Sequence, residues 1–199
     1  MPDKPFSESC IQNRAPILAV LREVFADRRA VLEIGSGTGQ HAVYFGAALP
    51  YLHWQTADVP LHHPGIRQWL AEAALPNVLP PLALDVNQRT WRNGRYDAVF
   101  SANTLHIMSW PEVEHFFAGV SEVLEPGGVL AVYGPFNYNS AYTSESNAHF
   151  DAWLKARDPA AGVRDFEAVD ALARARGLIL QQDIAMPANN RTLVWRRMS

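Results

Sequence analysis

The chain has 199 residues, 48% of them apolar and 19% charged, which suits one domain with its own core and excludes a charge-driven disordered chain. The formal net charge of −3 is not the basic footprint of a tight nucleic-acid binder, so no nucleic acid is expected and a small molecule is the better partner. The single cysteine, Cys10, cannot close an intrachain disulfide, and the first residues show neither the basic nor the apolar region of a secretory signal.

Residues 13–26 predict a helix, with Asn13 as its cap and Ile17, Val20, Leu21, Val24 and Phe25 as its apolar stripe. Residues 30–34 predict a short buried strand. A glycine loop follows, then a helix over 40–49. Residues 53–57 predict the second strand and 64–74 a helix with Pro64 in its first turn. Residues 78–84 predict a third strand. Pro80 and Pro81 place it at a sheet edge, because proline has no N–H to donate to a ladder.

Residues 96–102 predict a fourth strand. The helix after it opens on a capping box, Ser109 with Glu112. It carries Val113, Phe116, Phe117, Val120, Val123 and Leu124 on one stripe, and Pro126-Gly127-Gly128 ends it. Residues 129–133 predict the fifth strand. The stretch 134–163 is polar and irregular, with a short helix near 147–156. A helix over 165–176 is capped by Asp165 and stopped by Gly177. Residues 178–186 and 192–196 predict two last strands joined by a turn at 187–191. Alternating strands and helices predict an α/β doubly wound, mostly parallel sheet, and the last pair closes it with an antiparallel hairpin. No apolar run approaches the ~20 residues of a membrane span, so no membrane is expected and the expected setting is cytoplasmic.

The strongest motif is Val31-Leu32-Glu33-Ile34-Gly35-Ser36-Gly37-Thr38-Gly39, a strand running into a glycine turn that opens a helix. Glycines admit the sharp turn and let a ligand approach the main chain. Amides at the helix start favour anionic or polar ligand atoms. The G-x-G-x-G spacing differs from the G-x-G-x-x-G of dinucleotide enzymes, and no Walker lysine follows. Dehydrogenase-type sheets also lack the final hairpin, so a nicotinamide oxidoreductase is the weaker reading. Asp58 ends the second strand, where a carboxylate can accept from ribose hydroxyls. Asp85, after the third strand, could accept from an adenine amino group. The pair His62-His63 lacks the i, i+4 spacing of a helical zinc pair, and no metal is expected. Trp54, Trp69 and Trp91 read as core or rim.

These motifs, with Pro126-Gly127-Gly128, stand where class I S-adenosylmethionine-dependent methyltransferases carry theirs, and the resemblance covers nearly the whole chain. More narrowly, the chain resembles the methyltransferase-like 26 group, long catalogued as of unknown function. The stretches are Asn13-Arg14-Ala15-Pro16-Ile17-Leu18, Gly39-Gln40-His41-Ala42-Val43-Tyr44-Phe45, Ala102-Asn103-Thr104-Leu105-His106-Ile107, Tyr133-Gly134-Pro135-Phe136-Asn137, Thr143-Ser144-Glu145-Ser146-Asn147 and Met186-Pro187-Ala188-Asn189-Asn190. The resemblance implies a seven-stranded Rossmann-like fold over 1–199, with 1–28 as an N-terminal lid and helix and 134–163 as a substrate-side insertion. It implies S-adenosyl-L-methionine as cofactor and supplies no acceptor.

Carried over by position, Glu33 and Gly35, Ser36, Gly37, Thr38 and Gly39 would cradle the methionine end. Asp58 would hold the ribose, Asp85 and Val86 the adenine, and Asn103 the methionine end by its backbone. His41 could reach cofactor or acceptor, or only pack. Acceptor-side candidates lie at the carboxyl ends of the strands: His106 first and Glu145 second as bases, then Tyr133, with Asn137 and His149 in the polar stretch. Asn13 and Arg14 would fold over the site, and Asn189 and Asn190 read as turn residues. The expected reaction is methyl transfer to a small molecule. The alternative is a non-catalytic sensor or partner subunit that binds S-adenosylmethionine or S-adenosylhomocysteine. Monomer and homodimer both stay open.

Overall fold

In the computed structural model, which describes residues 4–88, 91 and 94–198, strands and helices alternate along the chain. Seven strands form one sheet: β1 (Ala30–Ile34), β2 (His53–Asp58), β3 (Val78–Ala83), β4 (Tyr96–Ala102), β5 (Leu124–Gly134), β8 (Leu178–Met186) and β9 (Asn190–Arg197). Their order is β3-β2-β1-β4-β5-β9-β8. β1 pairs in parallel with β2 and β4, β2 with β3, and β4 with β5. β9 is antiparallel to both β5 and β8. The order reverses between β1 and β4, the switch point where such sheets bind ligands. The proline-bearing β3 is at the edge, as its missing donors require.

Pleating sends alternate residues to opposite faces, and the sheet has a core on each. Val31, Ala98, Phe100, Ala131 and Tyr133 face α1 (Glu8–Val24) and α2 (Gln40–Ala48). Leu32, Ile34, Val99, Leu130 and Val132 face α4 (Trp110–Val123) and α6 (Phe166–Ala175). The first core centres on three rings: Phe45 lies 5.6 Å from Trp54 and 5.5 Å from Phe100, centroid to centroid. α3 (His63–Ala73) sinks Ile66 against the glycine loop. The short strands β6 (Phe136–Asn137) and β7 (Arg164–Asp165) pair in parallel and bracket α5 (Glu145–Arg157), which buries Asn147, Asp151 and Leu154. No helix among the described residues is long and apolar enough to cross a membrane.

Three boundaries differ from the sequence reading. The first helix starts at Glu8, with Ser7 as N-cap, so Asn13 is an interior, buried residue and no cap. Its first turns are polar, and a long-range contact holds them: Ser7 N donates to Gln40 Oε1 at 2.6 Å. The fifth strand pairs from Leu124, before the glycines, through a register shift against β4. The helix in the polar stretch runs 145–157, anchored by Ser144 Oγ accepting from Asn147 N at 3.1 Å.

Candidate active site

The carboxyl ends of β1, β2 and β4 open into one cavity of about 810 Å³, within the usual range of ligand pockets, about 300–1,000 Å³. On one side β1 turns at Gly35, whose φ of +74° is a left-handed conformation costly for any side chain. A Cβ there would also strike the Thr104 methyl. The loop is tied to β2: Gly35 N and Ser36 N donate to Ala57 O at 3.0 and 3.1 Å, and Gly37 N donates to Asp58 Oδ2 at 2.7 Å. Asp58 is thereby fixed at the wall, 8% exposed, with Oδ1 accepting from Val59 N at 2.7 Å and from His62 Nδ1 at 2.8 Å. Asp85 and Val86 border the same cavity, and Asp85 shapes its own turn by accepting from Asn87 N at 2.9 Å. Asn103 sits at φ +59° where β4 ends, its N–H donating to Tyr133 O at 2.9 Å.

Across the cavity stand His106, Tyr133, Asn13 and His41. Burial, aided by the charge of Arg164, holds the His106 imidazole down at about 4, so it is neutral at pH 7. Its ring meets Phe150 edge-on at 5.2 Å, and its carbonyl accepts from Gly162 N at 2.9 Å. Arg164 fastens that segment, donating to the carbonyls of Leu105 at 3.1 Å, Ala160 at 2.9 Å, and Met108. His41 is 6% exposed, stacks on Phe45 at 5.2 Å, and its Nε2 bonds Asn13 Oδ1 at 2.7 Å. Burial first, and then Arg14, lowers its pKa to about 4. Burial raises the Tyr133 phenol, and the Asn13 amide draws it partly back. His41 thus packs and also reaches the wall.

Six expected site residues do not line the cavity. Glu33 lies behind the glycine loop, 2% exposed, with Oε2 accepting from Trp54 Nε1 at 3.1 Å. Burial lifts its carboxyl to about 7 against the opposing pull of that bond. Gly39 starts α2 packed on Ile66. Arg14 turns away and lies over the Tyr44 ring. Glu145 is corrected from a wall acid to an exposed residue in the first turn of α5, where a carboxylate faces the positive helix end. His149 is exposed on the same helix. Asn137 sits in β6, its Nδ2 directed at Val163 O.

Other walls were not singled out from the sequence. Cys10 and Pro16 come from the inner face of α1, Thr104 and Met108 from the loop after β4, and Asn147 and Phe150 from α5. Asn190, read as a turn residue, both braces the Pro187–Asn189 turn and borders the cavity. Glu112, the capping-box acid, borders it too, with Oε2 accepting from Ser109 N at 2.7 Å. The one available signal was for Pro16, which follows Asn13 by three residues and so shares its face of the helix.

The seven-stranded, mostly parallel sheet with its antiparallel hairpin matches the Rossmann-like fold of methyltransferases. The chain belongs to the family described as protein of unknown function DUF938, whose model matches residues 4–197. An O-methyltransferase family protein from Burkholderia thailandensis superposes with a TM-score of 0.84 at 19% identity, over 96% of this chain and 58% of that one. The S-adenosylmethionine-dependent methyltransferase SibL, in its apo form, gives 0.81 at 22% identity, over 96% and 56%. An O-methyltransferase family 2 protein from Planctomyces limnophilus, in complex with apigenin, gives 0.83 at 15% identity, over 96% and 58%. The chain therefore spans little more than half the length of these solved structures, and at such identities the likeness is one of fold.

Proposed function

We propose that this chain is an S-adenosylmethionine-dependent methyltransferase acting on a small-molecule acceptor. The observation that carries the reading is the single cavity at the switch point, which joins the glycine loop, Asp58 and Asp85 on one side to His106 and Tyr133 on the other. The residues fit the cofactor: Asp58 is a wall-fixed carboxylate for a ribose diol, and the Gly35 turn brings main chain rather than side chain to the cavity. The names of two fold neighbours, one S-adenosylmethionine-dependent and one holding apigenin, support the cofactor and the size of acceptor. The quoted stretches support the narrower likeness to the methyltransferase-like 26 group.

Asp58 would hold the ribose, Asp85 and Val86 the adenine, and the Gly35–Thr38 loop with Asn103 the methionine end. When bound, the cofactor supplies a methyl group already activated by a sulfonium. The chain's task is then alignment and exclusion of water. α1 and the α5 residues Asn147 and Phe150 border the cavity and would close its acceptor side as a lid. A neutral His106 is free to take the proton of an acceptor hydroxyl or amine as the new bond forms, and Tyr133 to orient the acceptor by a hydrogen bond. Incubation with methyl-labelled cofactor and a panel of phenols, amines and thiols tests the reading. Label should appear in at least one acceptor with wild type and disappear with Asp58→Ala. Cofactor binding without transfer to any acceptor or cell extract would instead favour a sensor or partner subunit.

A further inference from the structure

The histidine pair that follows β2 has a definite place in the structure. Both rings turn back onto Asp58. His63 Nε2 donates to the Asp58 main-chain carbonyl at 2.9 Å, which Leu84 N also reaches at 3.0 Å. His62 Nδ1 donates to the carboxylate itself, at Oδ1. A carboxylate offers about four lone-pair sites, two on each oxygen. Among the described residues, Oδ1 has both taken, by Val59 N and His62 Nδ1, while Oδ2 has one taken, by Gly37 N.

A two-handed grip on a ribose diol needs one open site on each oxygen. Oδ1 has none, so one of its two donors has to yield. Val59 N is main chain adjoining Asp58 and cannot leave. The His62 side chain is 48% exposed, sits on the short turn Pro60–His62 and borders the cavity, so rotation about its side-chain bonds frees it. Meanwhile His63 and Leu84 keep the Asp58 backbone in place. We propose that His62 Nδ1 holds the position of one ribose hydroxyl on Asp58 and is exchanged for it when an adenosyl ligand enters, so that His62 sets the affinity of the nucleoside subsite. This rests on the adenosyl-binding reading of the site given above.

The test is calorimetry of S-adenosylhomocysteine, adenosine and 2′,3′-dideoxyadenosine with wild type and His62→Ala. The variant should bind the first two about 2- to 10-fold more tightly, the worth of one ordinary hydrogen bond, and the dideoxy probe no differently. In wild type with ¹⁵N-labelled histidine, saturation with S-adenosylhomocysteine should remove the hydrogen-bonded signature of one Nδ1, assigned to His62 by its loss in the variant. Weaker or unchanged binding of adenosine by His62→Ala, an equal gain for the dideoxy probe, or an unmoved His62 resonance overturns the exchange. If His62→Ala does not fold, His62→Phe, which also lacks the Nδ1 donor, supplies both the binding comparison and the assignment. Failure of wild type to bind any of the three ligands overturns the adenosyl reading itself, whereas binding without a His62 effect overturns this inference alone.

Discussion

Three buried titratable side chains around the cavity were moved by burial in directions that pH can read. His41 and His106 titrate near 4 in the fold and near 6.5 when unfolded. Between those values the unfolded chain binds more protons, so stability falls as pH drops from about 6.5 and levels off below about 4. Glu33 moves the other way, from 4.5 to about 7. The folded chain then binds the extra proton, and its contribution is full below 4.5 and lost as pH rises through 7. Each of these shifts is worth roughly 3 kcal/mol at most. Urea titrations at stepped pH should show His106→Gln flattening part of the acid limb and Glu33→Gln removing the loss between 4.5 and 8. An unchanged acid limb in the histidine variant would mean that His106 is not held neutral. The same depressed value predicts that turnover, once an acceptor is known, stays level down to about pH 5 rather than declining through 6.5. The sequence located these residues but not their states. The resemblance places Glu33 at the methionine end, whereas strand pleating turns its side chain inward to Trp54 Nε1. Asn13 suits a cap by residue type and stands just before the apolar stripe, yet the contact of Ser7 with Gln40 carries the helix back to Glu8 and leaves Asn13 inside it, bonded to His41.

At the scale of elements, the glycine-loop helix has to lie close to the sheet edge, and Gly46 is where it touches. A Cβ there would overlap a Val78 methyl, with the Asn77 amide 3.7 Å away. Valine is stiff at χ1, so relief requires α2 to move. Gly46→Ala is expected to destabilise by about 1–3 kcal/mol through overpacking, measured by urea midpoint, and to weaken S-adenosylhomocysteine binding because α2 carries the loop with it. A neutral effect on both would show that α2 has room to shift. Phe100→Ala, which empties the ring cluster with Phe45 and Trp54, should cost about 3–5 kcal/mol. Most elements were legible because their signals are local: the apolar runs 30–34 and 96–102, the capping box at Ser109 and Glu112, the prolines of β3. The strand pairing of Leu124 and the small β6–β7 pair were not, since two-residue ladders and register shifts are set by distant partners rather than by pattern.

For the molecule as a whole, the site is assembled from both ends of the chain. α1 supplies Asn13 and Cys10, the glycine loop comes next, and the Pro187–Asn189 turn and Asn190 close the far side. That closure was beyond the sequence, where nothing local ties residue 10 to residue 190, whereas the alternation of strands and helices along the chain and the closing hairpin followed from periodicity. A ligand that bridges such dispersed segments stabilises the folded state as a unit. At about a hundred times its dissociation constant it contributes ~2.7 kcal/mol, which for a chain of this size raises Tm by roughly 5–10 °C. S-adenosylhomocysteine should give such a shift in a thermal melt and NAD should not.

The most direct measurement is calorimetric titration of S-adenosylhomocysteine and NAD into wild type and Asp58→Ala. On the proposed reading Asp58 would accept two ribose hydroxyls, and its removal should cost about 1.5–3 kcal/mol for each charged hydrogen bond. The account predicts binding of the adenosyl ligand alone by wild type and a loss of at least about tenfold in the variant. Binding of NAD instead, or no binding of S-adenosylhomocysteine by folded wild type, would contradict it.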